Sequence, residues 1–337
     1  MKTLLKTLLA GAFALALAGG ASAQKQDLKM ATIAPGSSAY LTMTTMATLV
    51  NQALDNVDIQ VDATGAATKH MIELAEGKLD MCMTSPTVYK FMRTGTVMYQ
   101  KLENAPELAE NLRLVFWFPL GQYHIVTYAD SGMMQPADIK GKRVFLGPPG
   151  GGAWAAAKNW VNILTGYEPD KDFENVKASW SSALQGFQDR QFDVYIIPGI
   201  APFPQVEQLA LTSKLRLLGF NKEGYEASQA AQDFTAIQGE ELGIIPAGVY
   251  GDGVVNTEDI YTLGAAVGVA ARADLSDDLV YRITKAYWEQ KKAAEKDNPW
   301  LKDITMEYAV ADGGLKLHPG ALRYYEEAGV TVPEGSR

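Results

Sequence analysis

Apolar and polar positions along the chain switch repeatedly between two periods. Leu28–Ala34 alternates as a β-strand does, and the tight Pro35-Gly36-Ser37-Ser38 segment follows it. Tyr40–Leu54 then repeats with the spacing of a helix face. Ile59–Thr64 reads as a second strand and His70–Glu76 as a helix stopped by Gly77. Leu79–Met83 and Leu112–Phe118 are further short apolar strands. Strand, loop and helix in that rhythm predict an α/β fold on a mainly parallel sheet.

The rhythm begins again in the middle of the chain. Lys142–Leu146, Val176–Ala178, Phe192–Ile197 and Leu215–Leu218 read as strands, with helices over Ala153–Leu164 and Ala183–Arg190. Extended runs at 123–132 and 262–275 separate the two sets, and a long helix, Asp278–Lys296, follows the second run. Two chain crossings predict a first lobe of residues 24–128 plus 262–337 and a second lobe of 129–261. A hinge is expected near Tyr123–Ala129 and Ala265–Ala271, with a central cleft between the lobes. In such sheets ligands sit beyond the C-terminal strand ends, where PGSS, TGAATKH, TSPT, GPPGGGAW and PGIAP all fall.

Residues 1–23 carry Lys2 and Lys6, the apolar run Leu8–Ala18 and Ala21-Ser22-Ala23. This is the pattern of a secretory leader, so cleavage is expected after Ala23, leaving an exported, periplasmic chain that starts at Gln24. No cysteine follows the cut, as a lipoprotein would need. Cys82 is the only cysteine and has no intramolecular partner for a disulfide. The net charge of −9 becomes −11 once Lys2 and Lys6 leave with the leader. An acidic chain without a basic run is ill suited to nucleic acid or an anionic membrane surface. An anion would have to be held by local geometry.

The candidate chemistry follows from that constraint. Gly150, Gly151 and Gly152 turn a strand into a helix, where backbone N–H groups and the helix dipole can grip an anion. The same glycines can equally serve only to relieve strain. Ser37 and Ser38 precede a helix as cap or as hydroxyl donors. Thr64 ends a strand, and Lys69 and His70 stand in the next helix's first turn, where positive charge opposes the dipole. A cleft anion would offset this; solvated surface charge is the alternative. Tyr40 and Trp154 can wall a cleft or pack on the sheet. Ser85, Thr87, Gly199 and Tyr250 complete the set of ligand-binding candidates. His70, His124 and His318 are far apart and fit no metal or catalytic spacing. The glycine loop lacks the Lys-Ser/Thr of a P-loop. Neither metal nor cofactor is expected, and binding is favoured over catalysis.

Several segments together resemble the TAXI-type solute receptors of TRAP (tripartite ATP-independent periplasmic) transporters. They are Thr64-Gly65 with LAEGKLDM (74–81), ADSG (129–132), DIKGKRVFLGPPGGG (138–152), IPAGVY (245–250), ARADLSDDLVYRITKAYWE (271–289) and LHPGALRYYEEAG (317–329). The resemblance runs from Leu28 to Gly329. It implies a type II periplasmic-binding-protein fold that closes on a small organic anion or amino acid, such as a 2-oxoacid, a dicarboxylate or glutamate. It also implies delivery to TRAP membrane permease subunits for secondary active uptake. The family's T-G-G-S-x-E-N is here Thr64-Gly65-Ala66-Ala67-Thr68-Lys69-His70, and its G-P-P-G-S-G-T is here Gly147–Ala153. Lost hydroxyls and added positive charge are compatible with a more anionic or bulkier ligand. The alternatives are a periplasmic enzyme or a sensor-type binding protein on the same two-lobed fold.

Overall fold

The computed structural model describes residues 25–337 apart from Ala34 and Gly36. The leader reading over residues 1–23 lies outside the described residues. The strands are β1 (Gln26–Ala31), β2 (Val57–Asp62), β3 (Met81–Thr84), β4 (Leu112–Tyr128), β5 (Arg143–Phe145), β6 (Glu174–Asn175), β7 (Val194–Gly199), β8 (Leu215–Leu218), β9 (Glu240–Ile245) and β10 (Ile260–Arg272). They form one sheet in the order β2-β1-β3-β10-β4-β7-β5-β6, with β8 also on β4 and β9 also on β10. The helices are α1 (Ser38–Ala53), α2 (Ala67–Ala75), α3 (Pro86–Thr94), α4 (Ala105–Ala109), α5 (Gly152–Thr165), α6 (Trp180–Gln188), α7 (Pro204–Ala210), α8 (Lys222–Ala227), α9 (Gln229–Thr235), α10 (Asp277–Ala294), α11 (Met306–Ala309) and α12 (Pro319–Glu327).

The sheet is mixed, not mainly parallel. β1 is parallel to β2 and β3, and β5 is parallel to β6 and β7. Every pair that involves β4 or β10 is antiparallel. The segment expected as a strand over Leu112–Phe118 and the extended run after it are one continuous strand of 17 residues. Pro119 and Gly121 look like breakers in the sequence. They fall where β4 changes partners, from β10 up to Pro119 to β7 from Gln122 onward. Gly121 is obligatory there: its φ is +101°, and a Cβ would lie 2.2 Å from the carbonyl carbon of Gly199. β10 likewise changes partners, from β9 over Ile260–Ala265 to β3 over Gly268–Ala271. The expected strand over Val176–Ala178 is displaced to Glu174–Asn175, although Val176 still donates to the Val144 carbonyl at 2.9 Å.

The C-terminal helices pack back on the β1–β3 end through aromatic side chains of β4. Phe116 stacks on Tyr287 with centroids 4.8 Å apart. Tyr325 donates its hydroxyl proton to the Val115 carbonyl at 3.0 Å and accepts from Trp288 Nε1 at 3.0 Å. The Tyr325 phenol is therefore satisfied, whereas the buried Tyr287 hydroxyl has no hydrogen-bond partner, and each large side chain contributes about 1.5–3 kcal/mol of apolar burial. His318 caps α12: Nδ1 accepts from the Gly320 N–H at 3.2 Å while Nε2 donates to the Leu275 carbonyl at 3.1 Å. The LHPG run is thus a packing device between the start of β4 and the segment after β10. Phe145, Phe187, Phe192 and Tyr195 build a second core beneath β5 and β7. Among the described residues no helix is long and apolar enough to cross a membrane.

Candidate functional site

A cavity of about 90 Å³ lies beyond the C-terminal ends of β1, β2, β3, β5 and β7. The loop before α2 contributes Gly65, Ala66 and Ala67, and the β3–α3 turn contributes Thr84, Ser85 and Thr87. Pro148, Gly151, Gly152 and Ala153 close it from the β5–α5 loop. Trp180 opens α6, Pro198 is the penultimate residue of β7, and Gly239 and Glu240 enter from the start of β9. Leu120, Tyr123 and Ala265–Val267 of the two long strands form the floor.

The first residues of α2, α3, α5 and α6 all reach this one space. Ser85 caps α3 by accepting from the Val88 N–H at 3.1 Å, and Ser179 caps α6 by accepting from the Ser182 N–H at 3.2 Å. α2 and α5 differ, because their caps are Ala66 and Gly151 and neither has a side-chain capping bond. Each helix end carries about half a positive charge on its first N–H groups. Two such ends without side-chain caps supply attraction for an anion without a basic residue. Among the described residues, the wall contains no lysine, arginine or histidine; its ionisable side chains are Tyr123 and Glu240.

Glu240 carries a carboxyl in an unfavourable position for charge. Thr87 Oγ1 donates to its Oε1 at 2.9 Å, whereas Oε2 is sealed from solvent without a hydrogen-bond partner. Burial pushes this carboxyl up to about 7, opposed by the Thr87 bond and reinforced by the neighbouring Glu241. Burial also drives the Tyr123 phenol upward.

Of the residues singled out from the sequence, Ser85, Thr87, Gly151 and Gly152 line the cavity. Gly152 additionally permits a close approach: a Cβ there would stand 2.6 Å from Val88 Cγ2 of α3. Gly150 is in the same loop with φ +75° and open space beside it. Ser37 caps α1 by accepting from the Tyr40 N–H at 3.1 Å, and Tyr40 is half-buried on that helix. Ser38 is buried and its Oγ accepts from the Ile200 N–H at 3.2 Å, joining α1 to the loop after β7. Gly199 pairs with Gln122 at the β4–β7 junction.

Lys69 points outward and pairs with Glu73 at 3.1 Å, with 71% of its side chain exposed. That ion pair, one helical turn away, offsets the cation at the α2 N-terminus. His70 is buried and staples its own loop: Nε2 donates to the Thr64 carbonyl at 2.7 Å. Burial lowers its pKa, with the Thr64 bond opposing, so the ring is neutral. Thr64 Oγ1 donates to Asp62 at 2.7 Å, and Gly65 turns at φ +83° beneath the ring. Trp154 Nε1 donates to Asn175 Oδ1 at 3.4 Å, away from the cavity. Tyr250 donates its hydroxyl proton to His124 Nε2 at 2.6 Å and accepts from the Phe203 N–H at 2.8 Å. His124 Nδ1 donates to the Gln122 carbonyl at 2.9 Å, which completes a neutral buried chain.

Glu240, Tyr123 and Trp180 were not among the sequence candidates. Residues 240–245 form β9, a strand not among those expected from the sequence. The pairing of Ala265 with Glu240 brings that residue to the wall.

The alkanesulfonate-binding protein SsuA from Xanthomonas axonopodis pv. citri bound to MOPS is similar in structure, with a TM-score of 0.50 and 16% identity over 90% of this chain and 84% of that one. A protein from Bordetella bronchiseptica RB50 gives a TM-score of 0.51 and 12% identity over 92% and 86%. A TRAP periplasmic solute-binding protein from Roseobacter denitrificans, with bound β-D-glucuronate, gives 0.47 and 11% over 91% and 87%. The fold is α/β and periplasmic-binding-protein-like. The family model described as "NMT1-like family" matches residues 30–329, so the chain belongs to the NMT1-like family.

Proposed function

We propose that this protein is an exported receptor that captures a small organic anion in the cavity and hands it to TRAP membrane permease subunits. The observation that carries the reading is the convergence of the two N-termini lacking side-chain caps, α2 and α5, on one enclosed space. Delivery to a TRAP permease rests on the TAXI-like segments of the sequence. Export rests on the leader pattern of residues 1–23. The two lobes, 24–128 plus 262–337 and 129–261, would close about β4 and β10, which exchange partners midway.

The test is a thermal-shift screen of the chain from Gln24 against organic acids, amines and neutral sugars. A ligand bound only by the native state stabilises it by RT ln(1 + [L]/Kd), about 2.7 kcal/mol at a hundredfold excess over Kd. Acids alone should raise the melting temperature. A response to amines or sugars with none to acids would refute the anion reading.

A further inference from the structure

The charge on the cavity wall limits what kind of anion fits. Two helix ends without side-chain caps offer about one unit of partial positive charge in total. No basic side chain adds to it among the described lining residues, and Glu240 stands on the same wall. Most of the remaining surface is apolar, with Met71, Met83, Val88, Leu120 and Val267 among its members. One anionic group is therefore balanced, while a second would be buried without a partner beside a carboxyl.

We propose that Glu240 is a specificity-determining residue that confines the cavity to monoanions with an aliphatic body and excludes dianions. This rests on the acid-receptor reading above and narrows it. Thr87 fixes the carboxyl through Oε1, so the group cannot swing away without breaking the α3 to β9 contact. The other groups around Glu240 leave its charge uncompensated. Glu241, next on β9, accepts from the Tyr308 hydroxyl of α11 at 3.3 Å. Lys90 of α3 lines the outer groove beside Glu240 but makes no ion pair with it among the described residues. Tyr123 of β4 faces the cavity as a neutral phenol.

The buried carboxyl titrates near neutrality, so the exclusion should sharpen with pH. Below its titration Glu240 is neutral and tolerates an anion beside it. Above it, the ionised form repels every anion and a dianion most.

The experiment is calorimetric titration of the chain from Gln24 with matched acids: pentanoate and glutarate, hexanoate and adipate, 2-oxopentanoate and 2-oxoglutarate. At about pH 8 each monoacid should bind at least about tenfold more tightly than its diacid partner, and the gap should shrink at about pH 6. Glu240→Gln keeps the shape and the neutral state. It should reduce the gap at least about fivefold and bind monoacids at pH 8 as the parent does at pH 6. Thr87→Val, which frees the carboxyl, should weaken the discrimination in the same direction. Diacids binding as tightly as monoacids in the parent, or an unchanged gap in Glu240→Gln, would overturn the proposal alone. No heat with any of the six acids would overturn the acid-receptor reading and the proposal with it.

Discussion

Two buried groups make opposite demands on pH, and replacing Glu240 should expose the balance. His124 is fully buried, and burial lowers its pKa from 6.5 to about 4. Between those values the unfolded chain binds a proton that the folded ring does not. Stability contributed by neutral His124 is therefore complete above pH 6.5 and lost as pH falls toward 4. Glu240 acts the other way. Its carboxyl rises from 4.5 to about 7, so the folded state holds a proton that the unfolded chain has released, and stability is lost as pH climbs through that window. At 1.36 kcal/mol per pH unit each shift corresponds to about 3 kcal/mol, so the two largely cancel between about pH 4.5 and 6.5. Glu240→Gln removes one side. It should match the parent near pH 4.5 and exceed it by about 3 kcal/mol near pH 7.5, with a slope that falls toward acid. Urea denaturation at half-unit pH intervals, with unchanged m-values, measures this directly. A gain from Glu240→Gln that is the same at every pH would refute the assignment of a buried, proton-holding carboxyl.

Gly152→Ala would place a Cβ 2.6 Å from Val88 Cγ2, so the neighbours must shift and the variant should lose about 1–3 kcal/mol by urea denaturation while still folding. The same variant should weaken ligand binding by wedging α5 from α3, and Val88→Ala should restore the affinity; without rescue, the contact is not the cause. Lys69→Met should change acid affinity by less than about 0.5 kcal/mol, because the ammonium is exposed and paired with Glu73. A larger loss on titration would return Lys69 to the site. Tyr250→Phe strips partners from buried His124 Nε2 and the Phe203 N–H. It should cost about 2–3 kcal/mol in the urea midpoint, and a neutral result would show that water replaces the hydroxyl.

Strand ends and helix starts were legible because the period of apolar positions changes there. The Gly150–Gly152 turn, the α1 cap at Ser37 and the long helix after Ser276 could all be read locally. The continuity of β4 through Pro119 and Gly121 could not, since both residues ordinarily end strands. Their tolerance depends on partners distant in sequence, β7 and β10. The same holds for Lys69 and His70. Their position in the first turn of α2 was evident, but the neutralising contacts, Glu73 and the Thr64 carbonyl, depend on side-chain direction. Glu240 reaches the cavity through the β9–β10 register, a long-range pairing.

Holding an anion with helix ends instead of ion pairs ties binding to enclosure. An N–H at an exposed helix terminus is well solvated, and water screens its partial charge to a fraction of a kcal/mol. The same dipole gains strength once water is excluded and the effective dielectric falls. The α2 and α3 termini follow β2 and β3, whereas those of α5 and α6 follow β5 and β6, at the opposite end of the sheet. Neither group forms the enclosed cavity alone; only their approach across β4 and β10 completes it. Capture by a single half of the molecule should therefore be weak, and affinity should come with closure. A basic side chain on the wall would weaken that dependence by attracting the anion in the open cleft, and the described wall has none. In this arrangement Gly152 and Val88, which let α5 and α3 approach closely, should influence affinity without needing to touch the ligand.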